Sequence, residues 1–299
     1  MSRPRGGYIG HNAAPAAVAI NSAASGAWTL REAEALKRAG TWPTSFLDPT
    51  QIAGLQLWLD AAAPETLFDA TTGGSLVAAD GGVARWQDKS GNGRHATQST
   101  SANRPARKTA IQGGLDVLRF DGSNDSLTIS DFLELSTGQA ITALVVIKRG
   151  VTGSTHTIVS KFNQQGSQYS EDGWAFRFLN TNTLNVVYAQ DGEYTNQTSS
   201  SSVSASTFSV LAFKATAGSL TTSTVLYQNG IALASSNSGS VQSLDDTNYN
   251  VAIGRLPYDG NNFDFLNGDI AEIIIYNSAL SNANRSLVES YLMSKWGIA

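Results

Sequence analysis

From Leu55 onward the chain breaks into short runs rich in β-branched and aromatic residues, each bounded by Gly, Asn, Asp or Ser. The runs LDVLRF (115–120), ITALVVIK (141–148), GWAFRFLN (173–180), TLNVVYAQ (183–190), FSVLAFK (208–214), TVLYQNG (224–230) and DIAEIIIYN (269–277) have strand length, and several alternate apolar with polar positions. Many short strands with frequent turns predict an all-β fold built as an antiparallel sandwich. Asn229-Gly230 between two such runs is a hairpin turn. The polar tract 195–209 resembles a linker in composition, but strands flank it closely, so it reads as a surface loop with a polar edge strand.

Two helix signals frame the strands. In TLREAEALKRAG, Thr29 caps, Glu32 completes a capping box and Gly40 stops the helix. It lies in an alanine-rich segment, residues 1–50, bracketed by Trp28 and Trp42. A helix this short needs a surface to dock on, either its own domain or another protein. At the other end, SNANRSLVESYLMSKWG has Ser281 as its cap, Gly297 as its stop, and Ala283, Leu287, Tyr291, Leu292 and Trp296 near one face. The expected organisation is an arm over 1–50 and one sandwich domain over 51–299.

Composition removes several functions. With 15% charged residues and a net charge of −4 there is no basic field for nucleic acid. No cysteine is present, which removes disulfides, zinc-thiolate sites and cysteine nucleophiles. The start, where Arg3 and Arg5 precede a short alanine stretch broken by Pro15, is not read as a signal peptide, and no run is long and apolar enough to insert in a membrane.

Catalytic patterns are sparse. Sugar hydrolysis on a sandwich needs two close carboxylates, yet Glu272 is a solitary acid within DIAEIIIYN and reads as outward-facing or hydrogen-bonded. The three histidines, His11, His95 and His156, form no metalloprotease pair, and neither a Gly-x-Ser-x-Gly elbow nor a Walker loop occurs. Lyase chemistry, whose residues are scattered along a chain, stays open. The reading is therefore a binding protein rather than an enzyme, with a polysaccharide-active hydrolase or lyase as the alternative. Candidate sugar-binding groups are Asp172, Trp174, Tyr194, Tyr258, Asp259, Asn261 and Asn262, which combine ring faces with acids and amides; ordinary turn chemistry is the competing explanation.

The loop QDKSGNGRHAT (87–97) carries two further patterns. Its glycine spacing, Gly91 to Ala96, imitates a dinucleotide fingerprint, but no helix follows to receive a phosphate. Asp88, Ser90 and Asn92 before Gly93 imitate the front of a calcium loop, although the twelfth position is Ser99. Asp121 and Asp125 in the turn DGSND are candidates to complete a shared calcium site, against the plainer reading of hydrogen-bonded turns.

Taken in order, LQLWLD (55–60), VARWQDKSGNG (83–93), LRFDGSND (118–125), Asn229-Gly230, IGR (253–255), NGDIAEI (267–273) and YLMSKWG (291–297) resemble laminin-G-like domains of the concanavalin A-like lectin/glucanase superfamily. That resemblance covers about residues 55 to 299. It implies a two-sheet antiparallel jelly roll, used as a carbohydrate-binding or adhesive module and often associated with calcium. Residues 25–43, SGAWTLREA through WP, resemble a segment near the start of structural proteins of tailed bacteriophages, especially marine and cyanobacterial ones. The combined expectation is a virion protein of tail-fibre or capsid-decoration type, multicopy or homo-oligomeric. Its arm would dock on capsid or tail partners through Trp28, Leu30, Leu36 and Trp42, and its sandwich would meet cell-surface glycan.

Overall fold

The runs expected as strands pair antiparallel into two large sheets whose inner faces share one core. The computed structural model describes residues 48–150, 152–164, 171–205, 207–245, 248–258 and 261–299, leaving out the side chains of Asn163, Gln164, Glu171, Tyr258, Asn261 and Asn262. The chain divides into two units, residues 1–51 and 52–299. The expected helix at 29–40 and the docking residues Trp28, Leu30, Leu36 and Trp42 lie outside the described residues.

Among the described residues the first sheet has eight strands. Its order is Ile231–Ala232, Val225–Gln228, Ser209–Thr216, Ala140–Arg149, Asn267–Tyr276, Leu115–Asp121 and Ala106–Gln112, with Leu55–Asp60 also pairing onto Asn267–Tyr276. The second sheet has ten, centred on His156–Gln164, Glu171–Phe178, Thr183–Gln190 and Glu193–Ser202. A separate ribbon pairs Leu256–Tyr258 with Asn261–Phe263. The polar tract does form a strand, but Ser235–Gly239 pairs along its outer side and takes the edge position. The hairpin turn has the expected chemistry, with Asn229 at φ 48° and Gly230 at φ 81°.

Alternation along the strands sets the layers. Ile270, Ile273 and Ile275 face the core, and a register irregularity between Ile270 and Glu272 accounts for their uneven spacing. Across the core, Phe213 of the first sheet meets Trp174 at 5.8 Å and Phe176 at 5.0 Å between ring centroids, both from the second sheet.

The closing helix, Asn282–Trp296, is capped by the Ser281 side chain accepting from the Asn284 amide, and it ends on Gly297 in the left-handed conformation. Its buried face differs from the apolar stripe read in the sequence. Ala283 is exposed, Leu287 and Tyr291 are half-buried, and the buried residues are Arg285, Val288, Glu289, Leu292 and Trp296. Arg285 and Glu289 form an ion pair one turn apart, and the Arg285 guanidinium lies 3.8 Å from the Tyr227 ring centre. Two charged residues thus occupy positions that a hydrophobicity pattern assigns to solvent.

Beneath this helix lies Glu272, fully buried. One of its oxygens accepts from Trp58 Nε1 (2.8 Å) and Tyr291 OH (2.9 Å), the other from Lys295 Nζ and Trp296 Nε1, both at 2.7 Å. Lys295 also reaches Asp60 at 2.7 Å, and Asp60 receives Lys89 at 2.6 Å. Removing a buried partner leaves the others desolvated and unpaired, so Glu272→Ala is expected to cost about 3–5 kcal/mol. Denaturant unfolding measures this, and a variant as stable as the parent would contradict the assignment.

Candidate functional site

Strand register brings charge together at one end of the first sheet. Asp269 stands opposite Arg119 on one side and opposite Lys148 on the other. Arg119 Nε and Nη2 donate to the two Asp269 oxygens at 2.6 and 2.9 Å, and Lys148 Nζ lies 3.3 Å from the same carboxylate. Arg149 follows in the strand, 1% exposed, with Nη2 donating to the Val203 carbonyl at 3.1 Å and its guanidinium 4.9 Å from the Phe178 ring centre. Its Nε and Nη1 have no hydrogen-bond partner among the described residues. These groups, with Lys108, Asp121 and Asp125, line a cleft of ≈ 550 Å³.

A second, more open hollow of ≈ 660 Å³ adjoins it, and Asn267 lines both. Asn267 fits because Gly122 and Gly150 stand beside it: a Cβ on either would strike its side chain. The Asn267 Nδ2 donates to the Asp121 carbonyl at 3.0 Å. The second hollow is lined by hydroxyl and amide groups of Ser154, Thr155 and Asn180, by His156 and Asp264, and by Phe263, which is 49% exposed. His156 is buried; its Nδ1 lies 2.7 Å from the Phe265 carbonyl oxygen and 3.4 Å from the Asn267 amide nitrogen, and its Nε2 has no hydrogen-bond partner among the described residues. Burial raises the Asp264 carboxyl, against the lowering effects of Arg177 and then His156. An apolar ring face beside planar hydrogen-bonding groups is suited to a sugar ring.

The residues singled out in the sequence are distributed differently. Trp174 is a core residue, 1% exposed, so it is withdrawn as a sugar-stacking ring. Asp172 accepts from the Asp191 amide at 3.0 Å, and its strand partner Asn163 lies seven residues from His156, roughly 23 Å along the strand. Tyr194 is 39% exposed and pairs with Ala189, whose own partner is Gly173, at that same distant end. Tyr258, Asn261 and Asn262 belong to the ribbon that carries Phe263, but their side chains, and all of Asp259, lie outside the described residues.

The calcium reading does not fit the donors found. The Asp88 carboxylate accepts from the amides of Trp58, Ser90 and Arg94 at 2.9–3.0 Å and from Ser90 Oγ at 2.7 Å. Asn92 turns its amide nitrogen toward the Leu55 and Gln56 carbonyls. Asp121 Oδ1 takes the amides of Ser123, Asn124 and Asp125. No group of three or more His, Cys, Asp or Glu that could hold a metal occurs among the described residues. The two loops cannot share an ion: Trp58, which bonds Asp88, stands opposite Ile274, while Asp121 stands opposite Asn267, roughly 23 Å along the same strand.

The Asp125 carboxylate accepts the Asp121 amide at 3.0 Å. Burial, joined by the Asp121 charge, pushes its carboxyl up to about 6. A carboxyl raised on folding favours the protonated fold, so this contribution is fully present below about pH 4 and is lost as pH rises through 6. Asp125→Asn is therefore expected to raise the melting temperature by a few degrees at about pH 7.5 and to bring no gain at about pH 4. A variant whose melting tracks the parent at both values would contradict this.

Among known proteins, the laminin G family model (Laminin_G_3) described as the concanavalin A-like lectin/glucanases superfamily matches residues 121–284, more than half of the chain. Trypanosoma rangeli sialidase bound to the inhibitor DANA is similar in fold, with TM-score 0.51 and 13% identity over 82% of this chain and 33% of the sialidase. The Botulinum neurotoxin serotype D binding domain has TM-score 0.50 and 15% identity over 80% of this chain and 51% of its own. The chain thus spans a third of one structure and about half of the other. No curated protein sequence matches. The sheet order, the shared core and the family match together make this chain a member of the concanavalin A-like lectin/glucanases superfamily, of laminin G type.

Proposed function

We propose that the sandwich is a glycan-binding module that holds sugar without cleaving it, and that residues 1–50 attach it, in multiple copies, to a bacteriophage particle. The observation that carries the glycan reading is the hollow at the sandwich end, where the exposed Phe263 ring stands beside His156, Asn180 and Asp264. Stacking and planar hydrogen bonding there suit a pyranose. Binding without turnover is supported by the state of the nearby acids. Asp269 is held by Arg119 and Lys148 and Glu272 is sealed under the closing helix, which leaves Asp264 as the one carboxylate lining the Phe263 hollow among the described residues. Hydrolysis needs two carboxyls free to reach the glycosidic bond. The particle reading rests on the resemblance of residues 25–43 to phage structural proteins; capsid decoration and a tail fibre are its two forms.

A glycan panel scored for both binding and product release tests the first part. Expected is binding with no released product, weakened about tenfold or more (~1.4 kcal/mol) by Phe263→Ala. Product release would establish the polysaccharide-active alternative, and undiminished binding by the variant would move the site elsewhere. For the second part, removing residues 1–50 should leave a soluble sandwich that still binds glycan and no longer joins particles. Incorporation of the truncated protein would refute the docking role.

A further inference from the structure

The cleft beside the Phe263 hollow differs from it in charge, and this bears on which glycan is taken. Four cations line it, Lys108, Arg119, Lys148 and Arg149, against three carboxylates, Asp121, Asp125 and Asp269, in a chain whose net charge is −4. The cations outnumber the carboxylates, and two of them keep donors that the fold does not use. Asp121 and Asp125 are turned onto backbone amides of their own loop. Asp269 receives two nitrogens of Arg119 and lies near Lys148. Arg119, with five N–H donors and Nε and Nη2 engaged, keeps donors on its outer edge and is 43% exposed. Lys148, 29% exposed, has three donors and one carboxylate neighbour. Arg149 adds a buried positive charge under the cleft whose Nε and Nη1 are unpartnered among the described residues; a cation held out of water projects a field into the adjoining space with little screening. Unspent donors and an excess of positive charge form a site for an anionic group.

We infer that the ligand is an acidic glycan, its carboxylate or sulfate received by Lys148 and Arg119 while a neighbouring ring lies on Phe263. This rests on the glycan reading of the Phe263 hollow, and the two halves are joined through Asn267, which lines both. Asp269 has the positioning role: it sits between Arg119 and Lys148 and sets their spacing before any ligand arrives.

The test uses the full-length protein and ligand pairs that differ in charge alone. These are an oligogalacturonate against its methyl ester, and a sulfated oligosaccharide against its desulfated form, with binding measured by calorimetry at low and high salt. The acidic member of at least one pair is expected to bind tenfold or more tightly, with the difference shrinking as salt rises. The pair that shows the difference identifies carboxylate or sulfate. Lys148→Gln should lower the acidic ligand's affinity severalfold toward that of its neutral counterpart, with Arg119 and Arg149 keeping the remainder of the preference. Lys108→Gln, at the cleft rim and paired with the exposed Asp80, should lower it in the same direction by a smaller factor. Equal affinity for both members of each pair, or a preference untouched in both variants, overturns the acidic assignment while leaving glycan binding intact. Failure of every ligand, neutral and acidic, overturns the glycan reading together with it.

Discussion

The Glu272 carboxylate is fully buried and is met by four donors from two other parts of the chain: Trp58 of the first strand, and Tyr291, Lys295 and Trp296 of the closing helix. Burial and the nearby Asp60 raise its carboxyl, and Lys295 and Trp296 act against that shift. Desolvating a carboxylate among two indoles is costly, and only a near-complete set of partners offsets it. That makes the arrangement all or none. The helix cannot slide, and the first strand cannot shift register, without orphaning a charge. Lys89 extends the network into the QDKSGNG loop through Asp60, and its ammonium lies 4.1 Å from the Trp58 ring centre. Three sequence stretches that look unrelated, LQLWLD, WQDKSGNG and SKWG, are therefore parts of one polar clamp.

The same strand carries both the clamp and the groove. Asn267–Tyr276 has Asn267 and Asp269 at one end, where the two hollows meet, and Glu272 further along, with Ile270 between them and Ile273 and Ile275 beyond holding the strand to the core. Fixing the strand at Glu272 fixes where Arg119, Lys148 and Asp269 stand relative to one another, since these come from three strands paired in register. Recognition groups on strand ends inherit the rigidity of the sheet and lose little conformational freedom when a ligand arrives.

Strand positions were legible in the sequence because period-two alternation is a local signal, and the Asn229-Gly230 turn because its backbone needs two positive φ values. The site was less so. Arg119, Lys148 and Asn267 are separated by long stretches of chain, and charges at strand ends read as solvent-facing until register places them together. Motif order did point to their neighbourhood, since LRFDGSND and NGDIAEI each contribute to the cleft. Trp174 misled for an identifiable reason. It belongs to the strand run GWAFRFLN, whose alternation puts Trp174, Phe176 and Phe178 on one face without saying which way that face turns, and sheet packing turns it to the core; Gly173 before it sits at φ 126°, where a Cβ would collide with the Lys161 carbonyl. The helix face misled because Arg285 and Glu289 neutralise each other in the interior.

Carboxylates in this protein show why residue type alone does not assign chemistry. Asp88 and Asp121 stand in loops that imitate metal sites, yet both Asp88 oxygens and the Asp121 Oδ1 accept backbone amides, so each closes a turn. Glu272 stands mid-strand like a catalytic acid and serves as a clamp. Asp269 looks like an ordinary exposed strand residue in sequence and instead arranges two cations around a cleft. What separates the four is the hydrogen-bonding capacity left over after the fold has taken its share. By that measure Asp88, Asp269 and Glu272 have both oxygens engaged, whereas the guanidinium of Arg119 and the ammonium of Lys148 keep donors to spare, and it is this surplus of donors at the end of the sandwich on which the acidic-glycan proposal rests.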